Sequence, residues 1–520
     1  MCGVICGATI TVVGALLVVA TSVVSFVYLP DFIKNVIVNE VVLINDTIQM
    51  ERFRELPFPV NFTVRVFNLS NPDDLENGAV PVVTEVGPYV YRLFQTREII
   101  SMDEDTIKYR RRERFEFDPI ASYPNTEDDM VKVINVPYHA IIQVAEILYP
   151  ALASVLNLAM GGIFGQYNSP VVEVRIRDLL FDGLPICVNP GLVTAVACNI
   201  IRTIGATAQN LEEMDDGSIL FSILAYKENY PSDVYEVRRG LEDPADLGLI
   251  VRYNNETSFP FWVNDIDDDG NETASVCNMV NGTDAGIFAP LVNRDNIIYA
   301  INTDICRSVE LRYQYDTEYE GIPVVRFSAN EWFLDNDDGC FCLNVTGGIG
   351  REDGCLLRGA MELYSCVGAF LVLSYPHFLY ADMMYRNNVL GMTPIEEDHR
   401  IFMDLEPNTG TPIRGAKRAQ FNTFMRPVSG IAATQNLRNA LVPILWVEEG
   451  IILPQEFVEE LTNRLLFSLK LVDILIPVLI ASCAVLMVIG LIFTMRGRKT
   501  RTPASLANDV FETTEPKSVN

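Results

Sequence analysis

The sequence predicts a mainly β, partly helical domain, built on an antiparallel sheet and held between two membrane-crossing helices. Three observations carry this. An uncharged apolar run long enough to span a bilayer stands near each end of the chain. Between the two runs the hydrophobic pattern alternates with a period of two over several segments. That same interval holds every N-x-S/T sequon and eight of the eleven cysteines, as suits an oxidising compartment.

The first run, Val4 to Tyr28, reads VICGATITVVGALLVVATSVVSFVY. At roughly 1.5 Å per residue such a helix exceeds the ~30 Å of hydrocarbon it has to cross. A cleaved signal peptide is the alternative, but the run is longer than an h-region, lacks a basic n-region and offers no clean small-x-small site. It reads as a retained anchor. The second run, Ile474 to Thr494, is followed by Arg496, Arg498, Lys499 and Arg501, which places the tail 495–520 in the cytoplasm by the positive-inside rule. The chain is then a hairpin, with residues 1–3 cytoplasmic, spans at 4–28 and 474–494, and an ectodomain over 29–473. Cys2 and Cys6 lie at the cytoplasmic edge of the first span and are candidates for palmitoylation, or else small residues of a membrane helix. Gly3 and Gly7 form a GxxxG so near the interface that it argues little for helix pairing. Helical apolar spacing from Phe32 to Leu56 continues the anchor outward.

From Val60 the period changes. In VNFTVRV, Val60, Phe62, Val64 and Val66 share one face and Asn61, Thr63 and Arg65 the other, the pattern of a half-buried strand. Turn-rich NPDDLENG follows, then PVVTEVGPYVY, where Gly87-Pro88 punctuates two extended pieces. Ile107 to Phe117 and Val309 to Tyr315 alternate in the same way. These spacings favour an antiparallel sheet, open or closed, over a parallel α/β fold. Val133 to Val174 breaks the pattern. Its acidic residues are Glu146 and Glu173, it has no Lys or Arg, and its period is helical with a break at Pro150. A third span is opposed by His139, Gln143, Glu146 and Pro150. A helical subdomain with exposed apolar surface fits better, and such surface marks interaction sites.

Cys277, Cys306, Cys340, Cys342, Cys355 and Cys366 cluster in one stretch ending at His377. They read as three bridges outside the cell, or, in the cytosol, as a zinc site at Cys340, Cys342, Cys355 and Cys366. Sequons at Asn45, Asn61, Asn68, Asn255, Asn271, Asn281 and Asn344, candidates for glycosylation, all lie between the spans and favour the bridges. Cys187 and Cys198 flank Asn189-Pro190-Gly191 and either close a fourth loop or stand as buried thiols. A formal net charge of −29, from 68 acidic against 39 basic residues, argues against nucleic acid as a partner and for a solvated acidic surface. The histidines are His139, His377 and His399, and the chain has no HExxH, GxSxG or P-loop sequence. No catalytic residue, cofactor or metal site is expected. DIDDDG (Asp265–Gly270) imitates the start of an EF-hand loop, but Val276 stands where the bidentate Glu is needed. A turn beside Asn271 is the better reading, with adventitious calcium as the alternative.

Ordered blocks along nearly the whole chain resemble the class B scavenger receptors, the group that includes fatty acid translocase, the lysosomal integral membrane protein and the sensory neuron membrane proteins. They are VFNLSNPDDLENGAVPVVTEVGPYVY (Val66–Tyr91), DLLFDG (Asp178–Gly183), CNMVNGTDAGIFAPL (Cys277–Leu291), DICRSVELRY (Asp304–Tyr313), GCFC, SYPHFLYAD (Ser374–Asp382), EDHRIFMDLEPNTGTP (Glu397–Pro412), AKRAQFN and VPILWVEEG (Val442–Gly450). The Cys187/Cys198 pair, TGTP and WVEEG lean toward the sensory neuron subgroup.

The resemblance implies an antiparallel β-barrel with an apolar tunnel and a helical-bundle cap, the cap including about 133–165. It also implies bridges Cys277–Cys340, Cys306–Cys366 and Cys342–Cys355. Members that bind polyanions carry basic residues on the cap, whereas here none lies between Lys132 and Arg175. Arg110, Arg111, Arg112 and Arg114 read as alternating along a strand. The expected function is therefore capture of an apolar small lipid (fatty acid, sterol or pheromone-like ligand) at the cap of a plasma-membrane receptor. The lipid would pass through the tunnel to the membrane or a neighbouring receptor, with a lipid-carrier protein as a further candidate partner. The alternative is a scavenger or lysosomal-type receptor that binds lipoprotein or a protein partner. The tail shows no acidic dileucine signal, which weighs against lysosomal routing. The lipid-binding residues are not legible in the sequence.

Overall fold

The computed structural model describes residues 3–499 apart from positions 207, 229, 268 and 338. Cys2 and the tail beyond Lys499, with Arg501 and the region searched for a dileucine signal, lie outside the described residues. The chain divides into two compact units, residues 1–39 with 455–520, and residues 40–454.

In the terminal unit the first helix runs Val4–Val23, widens by one turn at Val24–Tyr28 and continues over Leu29–Val41. The second begins at Gln455–Leu461, widens at Thr462–Leu466 and runs over Phe467–Lys499. Both are long and apolar enough to cross a membrane. Each outruns the apolar stretch read from sequence, because helical hydrogen bonding does not stop where the hydrophobic run stops. The outward continuation ends at Val41, and Ile48–Arg54 is a separate short helix opened by Thr47, whose hydroxyl accepts the Met50 N–H. The two long helices pack antiparallel at very short range. A Cβ on Gly7, Gly14 or Gly490 would lie 2.6, 2.7 and 2.5 Å from the backbone nitrogens of Thr494, Met487 and Thr11. Gly7 and Gly14, like Gly490 and Gly497, are seven residues apart, the repeat that keeps one small-residue stripe at a helix seam. Pairing thus rests on Gly7 with Gly14 rather than on the Gly3–Gly7 spacing.

The body is organised on one antiparallel sheet. Its first three strands are β1 (Val60–Leu69), β2 (Val83–Met102) and β3 (Thr106–Phe117). From one edge the hydrogen-bonded order is Ile250–Tyr253, Pro231–Arg238, β3, β2, β1, Ala440–Ile452, Pro412–Met425, Ile401–Leu405, Ile322–Ala329, Arg307–Tyr319 and Ile298–Asn302. The inward face predicted for β1 is buried at Val60, Phe62, Val64 and Val66; of the other face only Asn61 is exposed, while Thr63 is buried and Arg65 half-buried, because this strand is covered on both sides. The two extended pieces expected around Gly87-Pro88 are instead one continuous strand. The register against β1 shifts there, so that Val64 faces Tyr89 and Val66 faces Val86, a bulge that absorbs a proline with no N–H to donate.

The sheet curls until its two edges nearly meet, and residues 282–283 close the gap. Ile250 donates to the Gly282 carbonyl (2.8 Å), Thr283 donates to Tyr299 (3.1 Å) and Ile301 donates to Thr283 (2.8 Å). Gly282 sits at φ +100°, and a Cβ there would lie 2.1 Å from the Tyr299 carbonyl oxygen, so only glycine fits. The next residue but one, Asp284, is anchored from inside by Arg97 (2.6 Å) and Tyr109 (3.0 Å).

Against the barrel stands a helical cap. A short ladder of Met130–Ile134 with Val171–Arg175 forms its stem. Asn135 opens the helix Val136–Leu148 by accepting the Tyr138 N–H, with Pro137 in the first turn where its missing N–H costs nothing. Pro150 breaks the run as predicted, and a second helix follows over Ala153–Phe164. A third cap helix, Leu192–Gly205, was not read from the sequence.

Candidate functional site

The three cap helices enclose an apolar groove of about 150 Å³. Ala140 and Val144 line it from the first helix, Leu156 from the second, and Ala197, Ile200 and Ile204 from the third. At its foot the groove reaches Asn210 and Leu211. Those two residues also wall a larger cleft of about 530 Å³ beside the barrel. That cleft in turn shares Lys227 and Asp304 with a cavity of about 80 Å³ inside the barrel, lined by Phe62, Val309, Leu311 and Phe421. Groove, cleft and interior are therefore consecutive spaces with common walls.

The apolar surface expected of residues 133–174 is present at Leu158, 82% exposed, and at Val155. The third helix adds to it Leu192, 93% exposed, with Val193 and Val196. The first and second cap helices carry no Lys or Arg. Arg202, on the third, is engaged by Glu213 at 3.1 Å and by the Gly217 carbonyl. On β3, Arg110, Arg112 and Arg114 face solvent while Arg111 turns inward, as their alternation predicted.

The barrel interior has a feature that the sequence reading missed, a layer of charge in which the side chains of Lys227 and Glu113 are buried and those of Arg111, Asp304, Lys417 and Glu449 half-buried. Lys227 donates to Asp304 at 2.7 Å and lies 3.4 Å from Glu113. Arg111 pairs with Glu113 (2.9 Å), and Lys417 with Glu449 (3.1 Å). Gln95 donates to both Glu113 and Glu449. Burial opposes the charge on Lys227, but Asp304 and then Glu113 hold its pKa well above the ordinary lysine range. Burial likewise opposes ionisation of Asp304 and Glu449, yet Lys227 beside the first and Lys417 beside the second keep both carboxyls below their usual range.

The first cap helix is fastened to the stem and to the barrel along one stripe. His139 bonds the Pro170 carbonyl at 3.2 Å, Gln143 donates to Phe424 (2.8 Å), and Glu146 pairs with Arg426 (2.6 Å). Burial pushes His139 down to about 4. Burial and the neighbouring His377 do the same to His399. A histidine whose folded pKa is depressed gives stability that is present above the unfolded value near 6.5 and is lost as pH falls towards 4. His139 alone should therefore cost the fold roughly 2 kcal/mol between pH 7 and 4.5. In urea titrations of the full chain, His139→Gln, which keeps a donor for Pro170, should flatten that pH slope. Equal slopes in the two proteins would refute the assignment.

His377 and His399 lie stacked at 4.5 Å under Trp446. Nδ1 of His377 accepts the Thr393 N–H, so its proton sits on Nε2 and is donated to Glu85 (2.6 Å). Nδ1 of His399 accepts from Ile395. Both rings are committed to hydrogen bonds, away from the three cavities.

The structure pairs Cys277 with Cys340, Cys306 with Cys366, Cys342 with Cys355, and Cys187 with Cys198. The last bridge ties the middle of the third cap helix, at Cys198, to Cys187 and so helps shape the groove. Of the sequon asparagines, Asn45, Asn61, Asn255, Asn271 and Asn344 are exposed and Asn68 and Asn281 half-buried. DIDDDG forms a hairpin of Asp265–Ile266 with Glu272–Thr273, where Asp267 accepts the N–H groups of Asp269 (3.0 Å) and Asn271 (2.8 Å).

A family model, that of the CD36 family, matches residues 12–494. The chain is 34% identical over 505 residues to sensory neuron membrane protein 2 of Drosophila melanogaster, covering 86% of this chain and 90% of that one. Sensory neuron membrane protein 2 of Aedes aegypti is 31% identical over 497 residues, with 85% and 91% covered. Sensory neuron membrane protein 1 of Apis mellifera is 31% identical over 446 residues, with 83% and 80% covered.

Proposed function

Because this chain belongs to the CD36 family, we propose that it is a two-span plasma-membrane receptor that takes up an apolar small lipid. Both termini lie in the cytoplasm. The lipid enters the groove between the cap helices, passes the cleft and barrel interior, and leaves for the membrane or a neighbouring receptor. The observation that carries this reading is the groove itself, walled by aliphatic side chains of three helices and followed towards the barrel interior by a cleft and a cavity that share lining residues with their neighbours. Burial of methylenes at about 0.8 kcal/mol each supplies the affinity without any charged anchor in the cap.

Intact cells expressing the full chain should bind a fluorescent long-chain alcohol saturably from the medium. Val144→Arg, which sets a charge in the groove wall, should weaken that binding at least about tenfold, since a charge in an apolar site must stay hydrated or be paired. Absence of saturable binding, together with co-purification of a stoichiometric protein, would overturn the lipid reading in favour of a protein-binding receptor. The exposed Leu158 and Leu192 are where such a partner would dock.

A further inference from the structure

Residues 118–129 leave the end of β3 and lead to the stem of the cap. Hydrogen bonds hold this loop at both ends. Asp118 donates its N–H to the Val90 carbonyl at 2.8 Å, and its carboxylate accepts the N–H groups of Ile120 and Ala121 at 3.0 Å. The buried Ser122 hydroxyl accepts the Val90 N–H at 2.8 Å, and Asp129 accepts the hydroxyls of Thr126 (2.8 Å) and Tyr89 (3.3 Å). On this fixed frame Ile120 is 88% exposed and Tyr123 83% exposed. Large apolar side chains on a backbone that is already ordered lose little further freedom when a second surface covers them.

Beside the loop, on the outer face of the sheet, lies a second half of the same patch. Asn61 of β1, Arg92 of β2 and Glu116 of β3 stand in one row of the register, and the loop leaves on the β3 side. The sequon at Asn61 therefore borders the patch on the side away from the loop. Phe94 faces Arg114, whose guanidinium lies 4.4 Å from the Phe94 ring, while that of Arg92 lies 5.5 Å from it. Both arginines are exposed and Phe94 is half-buried. The stretch from Glu116 to Asp129 has five carboxylates and no Lys or Arg, with Glu116 and Asp128 in solvent. The patch thus joins an acidic loop bearing Ile120 and Tyr123 to an aromatic ring flanked by two arginines, and tyrosine, phenylalanine and arginine are the side chains enriched in protein interfaces.

A foreign partner with a basic surface would match the loop and leave Arg92 and Arg114 unmatched. A second copy satisfies both signs at once, because in a twofold pair each half of a patch meets the other half. The ion pairs that Glu116 and Asp128 make within one copy, with Arg114 and Arg175, are exposed and contribute little, so they do not compete strongly. We propose that this patch is a homodimer contact, in which Ile120 and Tyr123 of each copy cover Phe94 of the other, and Glu116 and Asp128 stand against Arg92 and Arg114. The contact lies outside the groove, the cleft and the barrel interior, and it is independent of the lipid-uptake reading.

The test is the oligomeric state of the full chain in amphipol, by sedimentation over a concentration series and by co-purification of two differently tagged copies. The wild-type chain should sediment as a dimer that carries both tags. Ile120→Ser with Tyr123→Ser, which alters only exposed side chains, should raise the dimer dissociation constant about tenfold or more. Arg92→Glu with Arg114→Glu should give monomers, and so should Glu116→Arg with Asp128→Arg, since like charges then face each other. Co-expressed, these two charge variants should recover a mixed dimer, because every contact again joins opposite charges; that recovery also shows both to be folded. A monomeric wild-type chain would overturn the proposal. So would a dimer that Ile120→Ser with Tyr123→Ser leaves unchanged, a result that needs neither charge variant to fold and would move the contact elsewhere. Charge variants that reach the cell surface at the wild-type level and yet form no mixed dimer would overturn it as well.

Discussion

Glu362→Ala is expected to destabilise the ectodomain by about 4 kcal/mol or more, because four buried or half-buried backbone donors lose their acceptor at once. The Glu362 carboxylate is 1% exposed and accepts the N–H groups of Leu343 (3.0 Å), Asn344 (2.9 Å), Val345 (3.1 Å) and Thr346 (3.0 Å). The loop after GCFC is wrapped around a single side chain. Each orphaned amide costs about 1–3 kcal/mol when no water replaces the acceptor, and partial hydration keeps the total below the simple sum. Chemical unfolding of the full chain in detergent, followed by tryptophan fluorescence, measures it. Glu362→Gln retains one acceptor oxygen and should fall between wild type and alanine. A loss below about 1 kcal/mol for alanine would mean that the loop finds other acceptors.

Replacing Cys306 and Cys366 together by alanine should cost about 4 kcal/mol, the chain-entropy value for a closed loop of this length. The two are 60 residues apart in sequence, so the bridge closes one of the longest covalent loops in the chain. It also holds the backbone that receives the Trp262 indole N–H, at the Cys306 carbonyl (2.8 Å). The neighbouring Cys342–Cys355 bridge closes only 13 residues, so its removal should cost roughly 3 kcal/mol by the same relation. The ordering of the two losses is the readable outcome. Reversed, it would place the stabilisation in local packing rather than in the unfolded chain.

The strands, the terminal helices and the broken cap helix were legible because their hydrophobic period is an inherited property of side-chain geometry. The third cap helix was overlooked because Asn189-Pro190-Gly191 drew attention to a loop. Val193, Val196, Ala197, Ile200 and Ile204 nevertheless recur at helical spacing. The ionic layer was also partly readable. Arg111 and Glu113 stand in phase with Ile107, Tyr109 and Phe115, so the strand that predicts an inward face also turns two charges into it. What no pattern discloses is the partner. Lys227 sits in a short turn at Ala225–Lys227, far in sequence from Glu113, Asp304 and Glu449, and only the closed sheet brings them together. Glu362 left no trace either, since its partners are backbone amides, which every residue but proline possesses.

The segment at Gly282 and Thr283 has a consequence beyond completing a ring. Strand edges present rows of free N–H and C=O groups, and a second molecule can add to them. Here Ile250–Tyr253 and Ile298–Asn302 are the two edges, and Gly282-Thr283 occupies the space between them, secured from within by Asp284 on Arg97. Two residues thus stand between a barrel that ends on itself and a sheet that offers its margins to other copies. The clasp is as much a guard against intermolecular strand addition as a piece of the fold.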